Sequence, residues 1–173
     1  NDISKTIKII SNVRNNVSKK VKQQYEENPY PRWNKNKFFN NEPSIKKYLD
    51  RINIHPNNME KDENLEILIA GCGTGQHAIE EALKFKKSNL VAIDLSLKSL
   101  SFAIRKTNEI GIKNIEYFQG DILDLGKLDK KFDLIESSGV LHHMEDPLKG
   151  WKILSESLND SGIMLIGLYS DIA

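Results

Sequence analysis

Apolar residues at Ile3, Ile7, Ile10, Val13, Val17 and Val21 recur at steps of three and four, and Tyr25 extends the stripe. That spacing predicts an amphipathic helix with one face packed on something else. Asn28-Pro29-Tyr30-Pro31 ends it, because proline fixes φ, lacks an N–H and pushes the residue before it into extended geometry. A second short pattern, Ile45, Tyr48, Leu49 and Ile52, predicts another helix before a polar linker from about His55 to Asn64.

From Leu65 the pattern changes to alternating strands and helices. The runs Glu66–Ala70, Asn89–Ile93, Ile115–Phe118, Phe132–Glu136 and Ile163–Leu168 are short and mostly apolar and predict five strands. Between two of them, Ser96 is placed to cap a helix carrying Leu97, Leu100, Ala103, Ile104 and Thr107, and Gly111 is placed to end it. Asp146-Pro147 is an N-cap followed by a first-turn proline, opening a helix with Leu148, Trp151, Leu154 and Leu158. Strands alternating with helices of this length imply βαβ crossovers and a sheet covered on both faces. The expected fold is therefore α/β, Rossmann-like and doubly wound, with a mainly parallel sheet over residues 65–173 and an N-terminal helical extension over residues 1–64.

The chain has 173 residues, 39% hydrophobic and 28% charged, enough apolar material for one core. No apolar run approaches the roughly 20 residues that span a bilayer, and Ile9-Ile10 is too short for a signal-peptide core. A single cysteine, Cys72, cannot form an intramolecular disulfide, so a reducing, cytoplasmic setting is the expectation. The start at Asn1 suggests a processed or excised piece. The net charge of +1 conceals an asymmetry: residues 1–60 hold 12 Lys/Arg and 6 Asp/Glu, residues 61–173 hold 13 and 18. A nucleic-acid surface on the basic segment is not favoured, because Asn and Lys saturate the whole sequence and a solvated face explains the charge.

The chemistry concentrates at strand ends. Gly71-Cys72-Gly73-Thr74-Gly75 follows the first strand of the alternating region and opens a helix; such a loop turns tightly and lets a ligand approach without a Cβ in the way. A dinucleotide fingerprint would put its third glycine at position 76, which is Gln76, so a nicotinamide cofactor is disfavoured. Asp94, closing the second strand of this region, is placed to accept hydrogen bonds from a ribose diol. Asp121 follows the next strand and could take the exocyclic amine of an adenine, with Ile122 and Leu95 as apolar faces for the ring. Cys72 reads as a small buried residue rather than a reactive thiol. His142 and His143 follow the fourth of these strands and are candidate bases, against the alternative of histidines that simply pack. Two adjacent histidines without a carboxylate or thiol at ligand spacing do not face one ion, and no metal site is expected.

Together these motifs resemble the class I S-adenosylmethionine-dependent methyltransferases over about 105 residues, Leu65 to Tyr169. Gly71-Cys72-Gly73-Thr74-Gly75 looks like the family's first motif, Asp94 like its ribose acid and Gly120-Asp121-Ile122 like its adenine motif. Phe132 to His143 looks like its fourth-strand motif, and Leu158 to Gly162 like the turn into its fifth strand. The resemblance implies S-adenosyl-L-methionine as cofactor, held by Gly71, Cys72, Gly73, Gly75, Asp94, Leu95, Asp121, Ile122, Ser137, Ser138 and Gly139, and methyl transfer to an unidentified small-molecule or macromolecular acceptor. Two departures stand out. Ile69 occupies the position where the family usually has an acid, and the chain stops five strands into an expected seven, as a C-terminally truncated member would. Tyr25-Glu26-Glu27-Asn28-Pro29-Tyr30-Pro31-Arg32-Trp33 resembles a segment upstream of the domain in some bacterial proteins that also carry tetratricopeptide repeats. It could lie over the cofactor mouth, with Arg32 clamping a carboxylate and Tyr25, Tyr30 or Trp33 facing the sulfonium or substrate, or it could plug one end of the core. The rival functions are a cofactor-binding or partner-binding module without turnover and, less well supported, a nicotinamide-dependent oxidoreductase.

Overall fold

The computed structural model describes residues 3–33, 44–55 and 61–169. Its strands are β1 (Lys8–Ile9), β2 (Glu66–Ala70), β3 (Asn89–Asp94), β4 (Ile115–Gln119), β5 (Phe132–Ser138) and β6 (Leu158–Gly167); its α-helices are α1 (Asn16–Glu27), α2 (Ile45–Arg51), α3 (Gln76–Lys84), α4 (Leu97–Ile110) and α5 (Pro147–Glu156). The strands form one sheet in the order β1-β4-β3-β2-β5-β6, parallel at every pairing. Part of the expected linker (56–60) and the last residues (170–173) lie outside the described residues.

Both faces of the sheet are covered, which is why its strands read as apolar runs rather than alternating ones. Ile67 and Ile69 of β2 join one buried cluster with Leu49, Ile79, Leu100 and Ala103 of α2, α3 and α4. Leu68 and Ala70, one residue out of phase, join a second with Leu154 of α5, Ile122 and Leu125. Each fully buried Leu or Ile contributes about 1.5–3 kcal/mol, so the alternation holds the two layers on the sheet. Local punctuation works as the sequence implies. The Ser96 hydroxyl accepts from the Ser99 N–H, Gly111 ends α4 with φ 84°, and Asp146 accepts from the Lys149 N–H beside Pro147.

Three expectations change. The stripe from Ile3 to Tyr25 is not one helix: Ile3–Thr6 is a 3-10 turn, Lys8–Ile9 is a strand, and the helix begins at Asn16 with Asn15 as its cap. The open edge of β4 offers backbone partners that the segment takes, Lys8 opposite Phe118 and Ile9 opposite Gln119, with the Ile10 N–H on the Gln119 carbonyl at 2.9 Å. Ser11, Asn12 and Asn15 are weak helix formers and let this tertiary pairing win. The N-terminal segment thus supplies a sixth strand to the sheet. The stretch Leu158 to Gly162 is an irregularity inside β6 rather than a turn before it: Phe132 faces Leu158, but Leu134 already faces Ile163.

Candidate active site

A cavity of about 620 Å³ opens at the carboxyl ends of β2, β3, β4 and β5. That volume lies within the roughly 300–1,000 Å³ of small-molecule sites, and the place is where open parallel sheets bind ligands. Gly71 and Gly73 form its floor with φ of 77° and 52°, a conformation only glycine adopts freely. The N–H groups of Gly71 and Cys72 both donate to the Ile93 carbonyl at 2.9 Å, which ties the loop to β3. A Cβ at Gly71 would meet Val140 Cγ2 at 2.3 Å, and one at Gly73 would meet the Tyr30 carbonyl oxygen at 2.3 Å. The bare backbone therefore lets two other segments close around the cavity. Cys72 also lines it; burial, with the Asp94 charge adding, pushes its thiol well above the usual range, as expected of an unreactive thiol.

Asp94 lines the cavity from the end of β3. Its Oδ2 accepts from the Gly73 N–H at 2.8 Å and its Oδ1 from the Ser96 N–H at 2.9 Å. These bonds fix the carboxylate and leave it acceptor capacity toward the cavity. Burial raises its pKa against the pull of the N–H groups of Ser96, Gly73 and Leu95. Leu95, Asp121 and Ile122 line the same end of the cavity, and Asp121 Oδ1 accepts from the Leu123 N–H at 3.0 Å. Gly75 lies in the loop but outside the cavity lining. A Cβ there would reach Ala103 at 2.5 Å, so the residue serves the close approach of α3 to α4.

The segment after α1 is stapled over the glycine loop by one residue. The Thr74 N–H donates to the Tyr30 carbonyl at 3.1 Å, its hydroxyl donates to the Pro31 carbonyl at 2.6 Å, and the Trp33 indole N–H donates to that hydroxyl at 3.1 Å. Tyr25, Tyr30 and Pro31 line the cavity. Trp33 does not: it is buried, edge-on to Phe102 at 5.7 Å between ring centroids, so it plugs the core. Arg32 is exposed and outside the cavity, because extended backbone turns successive side chains opposite ways and Thr74 draws its neighbours inward. The arrangement therefore does not bring Arg32, the candidate carboxylate clamp, into the cavity lining.

After β5, Ser138, Gly139, Val140 and His143 line the cavity, whereas Ser137 and His142 do not. Ser137 points the other way along the pleat and is buried with its hydroxyl unpartnered. His142 is turned toward Tyr169, 4.6 Å away, with both ring nitrogens buried and unpartnered. His143 Nε2 lies 3.4 Å from the Tyr25 hydroxyl, and burial together with the neighbouring His142 lowers its pKa, favouring the neutral imidazole. The Tyr25 phenol is pushed up by burial and the Asp94 charge.

One cluster was not foreseen from the sequence. Glu136, only 3% exposed on β5, lies opposite Ile69 in the register and takes His77 Nε2 at 2.6 Å; the Tyr48 hydroxyl donates to its other oxygen at 3.4 Å. Glu81 pairs with the buried Lys84, and burial plus the Glu136 charge raise its pKa to about 7. A glutamate buried in the middle of a parallel strand is a signal in itself, since such a group has to find a partner. His77, Glu81 and Glu136 bring ligand atoms within 4.8 Å of one another. Lys84 and the His77–Glu136 hydrogen bond engage these side chains, while Glu81 Oε2 is buried without a hydrogen-bond partner.

Residues 61–172 match the family model described as a methyltransferase domain. The chain belongs to that family. Its methyltransferase domain is 36% identical over 107 residues to an uncharacterised Synechococcus protein, covering 61% of this chain and 26% of the relative. It is 33% identical over 97 residues to a Campylobacter jejuni tRNA U34 carboxymethyltransferase, covering 56% and 32%. Among solved structures it superposes on PKMT2 of Rickettsia typhi in complex with AdoHcy with TM-score 0.61 and 27% identity, covering 79% of this chain and 26% of that one. The [4+2]-cyclase SpnF matches with TM-score 0.63 at 21% identity, over 86% and 59%, a likeness of fold alone. The chain spans about a quarter of the length of the Synechococcus relative and a third of the Campylobacter one. The class I fold and S-adenosylmethionine as the family's cofactor agree with the resemblance seen in the motifs. Among the described residues no helix is long and apolar enough to cross a membrane.

Proposed function

We propose that this chain is the cofactor-binding domain of an S-adenosylmethionine-dependent methyltransferase that acts in a reducing, cytoplasmic setting. The observation that carries the reading is the convergence of the Gly71–Gly73 backbone, Asp94, and Asp121 with Ile122 on one cavity. Glycines without Cβ atoms leave room for the ligand chain, Asp94 offers its carboxylate to a ribose diol, and Asp121 with Leu95 and Ile122 takes the adenine. Ser138, Gly139 and Cys72 complete the wall. The cofactor, when bound, supplies a methyl group on a positively charged sulfur.

The remaining work falls to the residues of the chain. Tyr25, Tyr30 and Pro31 roof the glycine loop and exclude water, and the electron-rich faces of the tyrosines suit a cation. His143, which lines the cavity and whose pKa burial and His142 lower, supports a role as the base that takes a proton from an amine or hydroxyl nucleophile. Holding the reactants in line is the larger contribution, since well-oriented reaction partners gain about 7–11 kcal/mol. Isothermal titration with S-adenosylmethionine and S-adenosylhomocysteine tests the reading. Micromolar binding that weakens about 10- to 100-fold in Asp94→Asn supports it, and no binding by the folded protein overturns it.

A further inference from the structure

The cavity follows the order of the strands. Asp121 and Ile122 stand at the end of β4, Asp94 and Leu95 at the end of β3, the glycine loop after β2, and Ser138 to Val140 after β5. A nucleoside over β4 and β3, as proposed above, leaves the other end of the ligand over β2 and β5. In an S-adenosyl ligand that end is an amino acid, with one ammonium and one carboxylate. The ionisable groups that α3 sends to that half of the cavity are His77 and Glu80.

We propose that His77, oriented and charged by Glu136, binds the carboxylate at the amino-acid end of the S-adenosyl ligand. The inference rests on the reading of the cavity as an S-adenosyl site. Three observations carry it. His77 lines the cavity with 39% of its side chain exposed, in the first turn of α3, where the helix terminus also favours an anion. Its Nε2 is committed to Glu136 Oε2 at 2.6 Å, whereas its Nδ1 has no partner among the described residues and remains free to donate. Glu136 is itself immobilised: it is 3% exposed, held within β5 and bonded from behind by Tyr48.

The charge state agrees with the geometry. Burial disfavours the imidazolium, but the hydrogen bond and charge of Glu136, and the charge of Glu81, outweigh it and raise the His77 pKa, with Lys84 opposing. The groups facing His77 are thus Glu136 from β5, Glu80, Glu81 and Lys84 from its own helix, and Tyr48 of α2 through Glu136. Glu80 also lines the cavity, with one oxygen on the Gln76 amide at 3.2 Å, and its carboxylate suits the ligand's ammonium. Ile69 on β2 is 2% exposed, and its register partner is Glu136 on the next strand. The chain therefore places its carboxylate at the same level of the sheet but one strand over, where it charges a histidine instead of touching the ligand.

The test is calorimetric binding of two probes, S-adenosylhomocysteine and 5′-methylthioadenosine, which shares the nucleoside and thioether but lacks the amino-acid end. His77→Gln is expected to weaken S-adenosylhomocysteine by about 10- to 100-fold, the worth of one charge-assisted hydrogen bond, and to leave 5′-methylthioadenosine within about 2-fold. Asp94→Asn is expected to weaken both. Because the bound form is the imidazolium, wild-type affinity for S-adenosylhomocysteine falls as pH rises through the raised His77 pKa, and in Glu136→Gln that fall moves to lower pH. A merely structural role for Glu136 leaves the midpoint unmoved. Should Glu136→Gln fail to fold, the two-probe comparison in His77→Gln decides alone. Equal losses for both probes, or none, overturn the inference; a wild-type protein that binds neither probe overturns the S-adenosyl reading along with it.

Discussion

Replacing Thr74 with valine is the sharpest test of how the N-terminal segment is attached. The side chain is 2% exposed, and valine keeps its shape while deleting the hydroxyl, so little cavity forms. What is lost is the acceptor for the Trp33 indole N–H at 3.1 Å and the donor to the Pro31 carbonyl at 2.6 Å. Trp33 is 8% exposed and has no water to turn to without leaving the core. Unpaired buried groups cost about 1–3 kcal/mol each, and one of the two can relax toward solvent, so the expected loss is about 2–4 kcal/mol. For a chain of this length that lowers Tm by about 5–15 °C. Thermal unfolding followed by circular dichroism reads the loss, and titration with S-adenosylhomocysteine reads the loosening of Tyr25 and Tyr30, expected as several-fold weaker binding. Thr74→Ser restores both. A Thr74→Val protein melting within about 2 °C of wild type would falsify the staple.

Asp94→Asn keeps one acceptor oxygen for Gly73 or Ser96 and turns an amide toward the other N–H, so S-adenosylhomocysteine is expected to bind about 10- to 100-fold more weakly in calorimetry. Gly75→Ala drives a Cβ to 2.5 Å from Ala103 at a φ of 84°, and strain plus overpacking of about 2–4 kcal/mol are expected in urea unfolding; a loss below about 0.5 kcal/mol contradicts the close packing of α3 on α4. Burial and Glu136 raise the Glu81 pKa to about 7, so the folded state holds a proton that the unfolded state releases near 4.5, and stability is expected to fall as pH rises between those values. Glu81→Gln removes that slope, at most about 1.4 kcal/mol per pH unit, from urea unfolding measured at pH 5, 6 and 7. An unchanged slope assigns the pH dependence to another group.

The strands β2 to β5 and their glycine loop were legible because each rests on neighbours in sequence. A run such as Glu66–Ala70 has to be buried on both faces, and Ser96, Gly111 and Asp146 act within three residues of themselves. Asp94, Asp121 and the glycines were legible for the same reason: a parallel strand carries its last residues to one edge of the sheet, so their meeting at the cavity follows from topology. Direction and partnership were another matter. Lys8–Ile9 became a strand because β4 had an open edge, 108 residues away in sequence, and helical spacing could not report that. Arg32 faces solvent and Trp33 the core because Thr74, 41 residues from Trp33, holds the Tyr30 and Pro31 carbonyls and the Trp33 indole. Ser137 and His142 sit one residue from cavity-lining neighbours, and the pleat or turn sends them elsewhere. His77 and Glu136 are 59 positions apart, and only the tertiary fold, which brings the first turn of α3 within reach of β5, makes them a pair. Sequence determined which residues share an edge of the sheet, since backbone periodicity is local; the tertiary structure decided which of them meet, since contact energy is not.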